Sequence, residues 1–246
     1  DLKLETKLIN EQTIMIYFDN KINNQTYQQV QLTTQFIEDS HISEIIDIIP
    51  SYRAILIYFD NTNVSGIELL ENLEFYKLKH SQVLKHSKNR VIQIPVCYGN
   101  NYGPDLSEVA KHNQLSEKEV IEIHTQQAYL IYMLGFMPGF PYLGGLDQRL
   151  HTPRRSEPRI KIDEGSVGIA NNQTGLYPME SPGGWQIIGR TPLKVFDIES
   201  KPMTLYKAGD YIQFYEINNK EYIEISEATQ RGEFKQDKWV KYENEY

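Results

Sequence analysis

Apolar residues recur with two different periods along the first ninety residues, and each period predicts one kind of element. Short β-rich segments bounded by polar residues predict strands at 13–18, 44–49, 53–59 and 91–96. Apolar residues near helical spacing predict helices over 23–40 and 65–78, and Ser65 is placed to cap the second helix. The first part of the chain is therefore predicted to alternate strands with helices.

The predicted order of elements in this part, β-α-β-β-α-β, is the split βαβ arrangement of ferredoxin-like domains. We expect a ferredoxin-like α/β domain over residues 1–90. His80 and His86 lie in a Lys-rich segment that is typical of a solvated connection, and metal binding there is the less favoured alternative. Nothing in this half has catalytic spacing, so we expect it to present a surface to another chain.

The pattern changes after residue 97, where a turn-rich segment leads into two short predicted helices near 106–113 and 117–124. Capping boxes are predicted at their starts, formed by Asp105 with Glu108 and by Ser116 with Glu119. Further strands are predicted at 128–134, 166–170, 185–189, 193–197, 210–215 and 222–226. Many short strands punctuated by Gly and Pro favour a closed barrel or sandwich, so we expect a β domain over 91–246 with a loosely held polar tail after 227.

The segment GFMPGFPYLGGLD, residues 135–147, holds four glycines, two prolines and three aromatic residues. Gly and Pro both disfavour helices and ordinary strands, so the segment is predicted to be a rigid turn. Its rings, Phe136, Phe140 and Tyr142, are candidates for the wall of a small-molecule pocket. The alternative is a purely structural corner of the barrel.

Basic residues gather just downstream of this turn, at Arg154, Arg155 and Arg159. A guanidinium group can bind a carboxylate or phosphate through two parallel hydrogen bonds. Three such groups near an aromatic turn are therefore candidates for holding an anionic substrate. The alternative is a solvated strand edge.

Neutral hydrogen-bonding side chains follow in a second segment rich in Gly and Pro, at Gln173, Thr174 and Tyr177. They are candidates for orienting a ligand. His124 ends a predicted helix, where a histidine often does no more than interact with the helix dipole. Its position just before the strand that leads into the glycine-rich turn also makes it a candidate proton carrier or oxyanion donor.

The overall charge and hydropathy narrow the class of protein. The chain has 246 residues and a formal net charge of −8, which argues against a broad nucleic-acid or anionic-membrane surface. Its apolar runs, such as 54–59 and 128–134, are too short to span a bilayer, and the first residues have no signal-peptide core. The single Cys97 cannot form an internal disulfide. We expect a cytoplasmic globular protein that binds neither membrane nor nucleic acid.

Several well-known catalytic motifs are absent from the sequence. It has no phosphate loop, no dinucleotide-binding turn, no zinc motif and no nucleophile elbow. We therefore expect no bound metal and no complete catalytic set in this chain alone.

Seven motifs occur in order along the second half: IPVCYG…YGPDL (94–106), EVIEIHT (119–125), GFMPGFPYLGGLD (135–147), TPRRSEPR (152–159), GSVGIA (165–170), QTGLYP (173–178) and SPGGWQIIGRTP (181–192). Together they resemble the allophanate hydrolase subunit 1 family, which includes the B subunit of bacterial 5-oxoprolinase and the sporulation kinase inhibitor KipI. The resemblance implies a C-terminal cyclophilin-like β-barrel. It also implies a partner of the allophanate hydrolase subunit 2 type, such as the C subunit of 5-oxoprolinase or a KipA-like protein.

The resemblance further implies an enzymatic role. With that partner and the A subunit of 5-oxoprolinase, the chain would open 5-oxo-L-proline to L-glutamate at the expense of ATP. ATP with Mg²⁺ would bind at a site shared with the partner protein, and the isolated chain would be inactive. Arg154 and Arg159 would bind carboxylate or phosphate, and His124 would carry a proton or donate to an oxyanion. The other candidates would surround the ligand: Phe136, Phe140, Tyr142, Arg155, Gln173, Thr174 and Tyr177.

Three alternatives stay open. A regulator that binds and inhibits a sensor histidine kinase, as KipI does, has the same motifs. Prolyl isomerase activity is suggested only by the barrel, and a fold does not imply a function. Allophanate or another urea derivative is the alternative substrate to the lactam.

Overall fold

The computed structural model describes residues 4–19, 24–78, 89–233 and 236–243. The chain divides into two compact units, Asp1–Ser87 and Lys88–Tyr246. His80 and His86, considered above for metal binding, lie outside the described residues. Within the described ranges, no helix is both long enough and apolar enough to cross a membrane.

The described residues of the first unit form four strands and two α-helices. They are β1 (Glu5–Asn10), β2 (Thr13–Tyr17), α1 (Asn24–Asp39), β3 (Ile45–Pro50), β4 (Ala54–Phe59) and α2 (Gly66–Asn72). Ser65 caps α2 in a capping box with Glu68, which confirms the predicted cap. The helix is shorter than predicted, because Glu74 adopts a left-handed conformation with φ of 47° before a short 3-10 turn.

The strands of this unit form one antiparallel sheet in the order β1-β2-β4-β3. Strand β4 lies between β2 and β3, and α1 connects β2 to β3 in the sequence. The strand predicted at 91–96 is confirmed within Asn89–Tyr98, but it belongs to the second unit, and β1 takes the outer position in this sheet. Every residue of β1 is exposed, which explains its weak apolar signal. Alternate residues of the central strands form the core under the helices: Ile14, Ile16, Ile55, Ile57 and Phe59.

The second unit holds the remaining elements. They are β5 (Asn89–Tyr98), α3 (Leu106–His112), α4 (Glu117–Thr125), β6 (Tyr129–Leu134), β7 (Pro141–Leu143), β8 (Arg159–Ile162), β9 (Ser166–Ala170), β10 (Gln173–Leu176), β11 (Ser181–Gly183), β12 (Gln186–Arg190), β13 (Tyr211–Glu216), α5 (Asn219–Gln230) and β14 (Val240–Glu243). The helices α3 and α4 confirm the two short helices predicted from the sequence.

Eight of these strands form a nearly closed, barrel-like sheet. Their order is β10-β9-β12-β5-β13-β6-β7, and β14 also pairs with β5. The end strands β7 and β10 lie against each other, which brings the two edges of the sheet together. Fully buried side chains of β5 fill the interior, including Ile92, Ile94 and Val96. The chain is thus an α+β protein with a barrel-like sheet, and β8 pairs separately with β11.

Three predictions for the second unit were wrong. Residues 193–197 form an isolated bridge from Phe196 to Thr204, not a strand. Residues 222–226 lie in α5, because Asn218 and Glu221 form a capping box that starts a helix through an alternating sequence. The described residues beyond 227 do not form a loose tail: β14 pairs with β5, and Trp239 is buried.

Candidate active site

His124 lies in the core of the second unit, at the end of α4, with no exposed surface. Its Nε2 is 2.8 Å from the Thr174 hydroxyl, which itself donates to the carbonyl of Gly168 at 3.1 Å. The Thr174 oxygen therefore accepts from Nε2–H, and Nδ1 accepts from the hydroxyl of Tyr98 at 2.7 Å. The ring stacks on Phe214, with 4.8 Å between centroids. His124 is thus a neutral ring with both nitrogens bonded.

Burial lowers the pKa of His124 to about 3, because the charged imidazolium would lose its hydration. Desolvation also raises the pKa of its donor Tyr98 well above the ordinary value. The structure therefore brings two candidates together, His124 and Thr174, inside the barrel rather than at its surface. A proton carrier needs contact with the substrate or with water, so this placement argues against that role, which stays a prediction.

Two of the three candidate arginines bind a carboxylate of the chain itself. Arg159 binds Asp105 with two hydrogen bonds, Nη1 to Oδ2 and Nη2 to Oδ1, both 2.7 Å long. Arg155 Nη1 donates to the same Oδ1 at 2.9 Å. Asp105 is buried, and its Oδ2 also accepts from the backbone amide of Ile187 at 2.7 Å. The charge of this buried carboxylate is thus matched by that of the guanidinium groups.

The predicted role of Asp105 as a helix cap was wrong. It stands before α3, but its side chain makes no capping hydrogen bond, because the carboxylate turns to the two arginines and β12. The second predicted box is confirmed: Ser116 and Glu119 cap α4 reciprocally. Asp105 was not among the candidate site residues. Its sequence neighbourhood suggests only a cap, and its partners lie fifty residues away.

Arg154 is the third candidate arginine, and its side chain is exposed. In the part of the chain that the structure describes, it forms no hydrogen bond or ion pair. Burial raises the pKa of Tyr177 to about 12, while the nearby charge of Arg154 acts in the opposite direction. Arg154 is therefore a cation without a hydrogen-bond or ion-pair partner among the described residues, and its charge acts on the Tyr177 hydroxyl.

All four candidate aromatic residues come together around Phe140. This aromatic cluster consists of Phe136, Phe140, Tyr142, Tyr177 and Trp185. Each of the other rings meets Phe140 at a steep angle, with centroids 5.5–5.7 Å apart, the edge-to-face geometry that aromatic pairs prefer. Trp185 was not among the candidates, although the glycines before it mark close packing.

The aromatic cluster has a buried part and an exposed part. Phe140 and Tyr177 are each 2% exposed, and Trp185 is 6% exposed. Phe136 is 72% exposed and has φ of 70°, a left-handed conformation that is uncommon for a residue with a large side chain. The turn thus holds one aromatic ring out toward solvent while its neighbours form a rigid base.

Two glycines make room for this packing. A Cβ on Gly175 would lie 2.8 Å from the Trp185 ring and 3.2 Å from Phe140. A Cβ on Gly183 would lie 2.6 Å from the Tyr177 hydroxyl. At these two positions glycine is needed because a larger residue would collide with the aromatic rings. The sequence alone could not distinguish this packing role from a role in letting a ligand approach the backbone.

The remaining observations limit what the site can hold. Gln173 lies half-buried at the start of β10. A groove of about 200 Å³ beside α5 is lined by Ile225, Thr229 and Trp239 and contains none of the candidates. Among the described residues, no group of three or more His, Cys, Asp or Glu side chains could hold a metal ion.

Comparison with known proteins places the chain in a family. Residues 4–206 match the carboxyltransferase domain, subdomain C and D. The 5-oxoprolinase B subunit of Bacillus subtilis is 41% identical over 237 residues, with 93% of this chain and 99% of that protein covered. The same protein of Escherichia coli O157:H7 is 39% identical, with 84% and 93% covered.

A solved structure supports the fold. The urea amidolyase of Kluyveromyces lactis superposes with a TM-score of 0.75 over 99% of this chain and 16% of that chain, at 19% identity. The relatives confirm the resemblance drawn from the seven motifs. The chain belongs to the family of the carboxyltransferase C and D subdomains, in the group that includes the 5-oxoprolinase B subunit.

Proposed function

We propose that this chain is the B subunit of an ATP-dependent 5-oxoprolinase, which opens 5-oxo-L-proline to L-glutamate together with partner subunits. The names and coverage of its relatives support this function. The observation that supports the site is the exposed Arg154, which has no ion-pair partner among the described residues. Its main chain is hydrogen-bonded on both sides to the sequence neighbours of Trp185, in an aromatic cluster with one exposed ring.

The chemistry of the substrate matches these groups. At neutral pH, 5-oxoproline has a carboxylate and a flat lactam ring, and the lactam is a poor electrophile until its oxygen is phosphorylated. Arg154 binds the carboxylate through charge-assisted hydrogen bonds, and the ring of Phe136 packs on the lactam. Arg155 and Arg159 support this site rather than bind the ligand, because Asp105 already occupies them.

The site is open and therefore needs a second chain. An exposed cation and an exposed ring cannot exclude water from a phosphorylated intermediate by themselves. The partner proteins, which correspond to the C and A subunits of 5-oxoprolinase, complete the site over this surface, so the isolated chain is inactive.

The ATP phosphates do not fit this surface alone. A triphosphate with Mg²⁺ needs several cations and carboxylate ligands. Near the aromatic cluster, Arg154 is the free cation among the described residues, since Lys161 pairs with Glu180 at 2.6 Å. ATP thus binds mainly on the partner side of a shared site.

The remaining candidates have supporting roles in this proposal. His124 acts through Thr174, which it holds on β10, and does not touch the substrate. Tyr177 and Phe140 form the base under the ligand, with Tyr142 and Gln173 at its margin. The finer fold classes, ferredoxin-like for the first unit and cyclophilin-like for the second, belong to the same proposal. The order of strands in the first unit and the nearly closed sheet of the second support them.

The test is ATP hydrolysis that depends on 5-oxoproline, measured with the chain alone, with the partner subunits alone and with the mixture. We expect turnover in the mixture only. In the mixture, Arg154→Ala should raise the KM for 5-oxoproline about 10- to 100-fold, the equivalent of about 1.5–3 kcal/mol for a hydrogen bond to a charged group. An unchanged KM would remove Arg154 from the site. Silence in every combination of folded subunits would contradict the function.

The kinase-regulator interpretation stays a prediction. No feature of the described residues favours it over the oxoprolinase. Direct inhibition of a sensor histidine kinase by the folded chain would support it, if the same chain mixed with the partner subunits gave no ATP hydrolysis dependent on 5-oxoproline.

A further inference from the structure

We propose that Asp105 is a positioning residue for substrate binding, which fixes the connection carrying Arg154 through its contacts with Arg155 and Arg159. This inference rests on the proposed function, because the substrate carboxylate is assigned there to Arg154.

The Asp105 carboxylate has no capacity left for a ligand. Oδ1 accepts from Arg155 and Arg159, and Oδ2 accepts from Arg159 and from the amide of Ile187. The backbone amide of Asp105 also donates to the carbonyl of Ile187 at 2.9 Å. The residue is 4% exposed. It therefore joins the start of α3, the first residues of β12 and the arginine segment into one fixed unit.

The same segment is held on both sides of Arg154. The carbonyl of Pro153 accepts from Nε2 of Gln186 at 3.0 Å, and the amide of Arg155 donates to the carbonyl of Gly184 at 2.8 Å. Gly184 and Gln186 are the neighbours of Trp185 in the sequence, so the main chain at Arg154 is fixed against the aromatic cluster. The side chain of Arg154 stays free.

Charge gives Asp105 a second role. Arg154, Arg155 and Arg159 place three cations within six residues, and Asp105 is the carboxylate that binds two of them. Without its charge, the two guanidinium groups would lose their partner and would repel Arg154 from its binding position. The arrangement leaves a single arginine available for the ligand, which favours one binding geometry.

The experiment uses the reconstituted complex of folded subunits, with KM and kcat for 5-oxoproline measured separately. Asp105→Asn keeps the size of the side chain and removes its charge. We expect it to raise KM about 5- to 10-fold and to change kcat less than 2-fold, since the partners and ATP are untouched. In the double variant with Arg154→Ala, the KM effects should not multiply, because Asp105 acts through Arg154.

A matched control separates positioning from stability. Asp210 is also buried, and it binds Arg90 and the amide of Lys207 in the same unit. Asp210→Asn should lower the melting temperature as Asp105→Asn does and leave KM unchanged. If Asp105→Asn does not fold, Arg155→Gln serves as the second variant. It removes one contact at a half-buried position, and we expect a KM rise of about 3-fold.

The outcomes separate this inference from the function on which it rests. If Arg154→Ala raises KM while neither Asp105→Asn nor Arg155→Gln does, the positioning role is wrong and the proposed site stands. If the effects of Asp105→Asn and Arg154→Ala multiply fully, Asp105 acts independently of Arg154 and the inference also fails. If Arg154→Ala leaves KM unchanged, the substrate site itself is wrong and the inference falls with it.

Discussion

Replacing His124 by Gln should make the stability of the second unit less dependent on pH in mild acid. The folded protein keeps this imidazole neutral, because burial lowers its pKa to about 3, whereas the unfolded chain binds a proton near the ordinary value of 6.5. Below that value the unfolded state holds more protons, so the free energy of unfolding falls as the pH falls. The loss is small above about pH 7 and accumulates as the pH falls to about 3.

The size of the effect follows from the two pKa values. Linkage at one site changes stability by about 1.4 kcal/mol per pH unit once the pH is well below the unfolded value. Between pH 7 and pH 5.5 the loss is about 1 kcal/mol, because the unfolded imidazole is only partly protonated near pH 6.5. His124→Gln should lower stability at both pH values through imperfect packing, but without this additional loss.

Urea unfolding followed by tryptophan fluorescence is a suitable assay. The two tryptophans of the chain, Trp185 and Trp239, both lie in the second unit, so the signal reports on that unit. Groups that titrate in both proteins cancel in the comparison of wild type with variant. His112→Gln, at an exposed position, is the control and should keep the wild-type dependence on pH. An equal pH dependence in wild type and His124→Gln would refute the argument, because it would mean that the His124 ring reaches water.

Two further predictions concern packing and capping in the same unit. Gly175→Ala should lower the free energy of unfolding by about 1–3 kcal/mol and shift the tryptophan emission, because the new Cβ would lie 2.8 Å from the Trp185 ring. The control is Gly135→Ala, whose new Cβ would lie 3.2 Å from a flexible methionine side chain and should lower stability less. Equal losses of stability in the two variants would contradict this explanation. Ser116→Ala should lower the stability of the second unit by about 1 kcal/mol through loss of the cap shared with Glu119, and an unchanged urea midpoint would show that the cap does not stabilise the folded state.

Local features of the fold could be predicted from the sequence. The caps at Ser65 and Ser116 involve residues three positions apart, so their chemistry is visible in a short segment. Most strands of the first unit follow period two with one buried face. Strand β1 was missed because all of its residues are exposed, and α5 was missed because YIEIS alternates like a strand while its cap at Asn218 starts a helix.

The candidate site was harder to predict, because its decisive contacts join distant residues. The sequence presents Arg155 and Arg159 as substrate ligands, and only the fold places Asp105 between them. A histidine has the same functional groups at the surface and in the core, so the sequence does not show where His124 lies. The packing of the barrel places its ring on Phe214. The rings of the glycine-rich turn do come together, since their spacing in a rigid turn limits where they can lie.

The central claim is that Arg154 binds the carboxylate of 5-oxoproline on this chain. The most direct measurement compares kcat/KM for 5-oxoproline with that for 2-pyrrolidinone, which has the same lactam ring without the carboxylate, in complexes that contain wild-type chain or Arg154→Ala. We predict that the variant loses about 10- to 100-fold for 5-oxoproline and little for 2-pyrrolidinone, so that the preference for the acid nearly disappears. A preference that survives in Arg154→Ala would contradict the account and assign the carboxylate to another residue or to a partner protein.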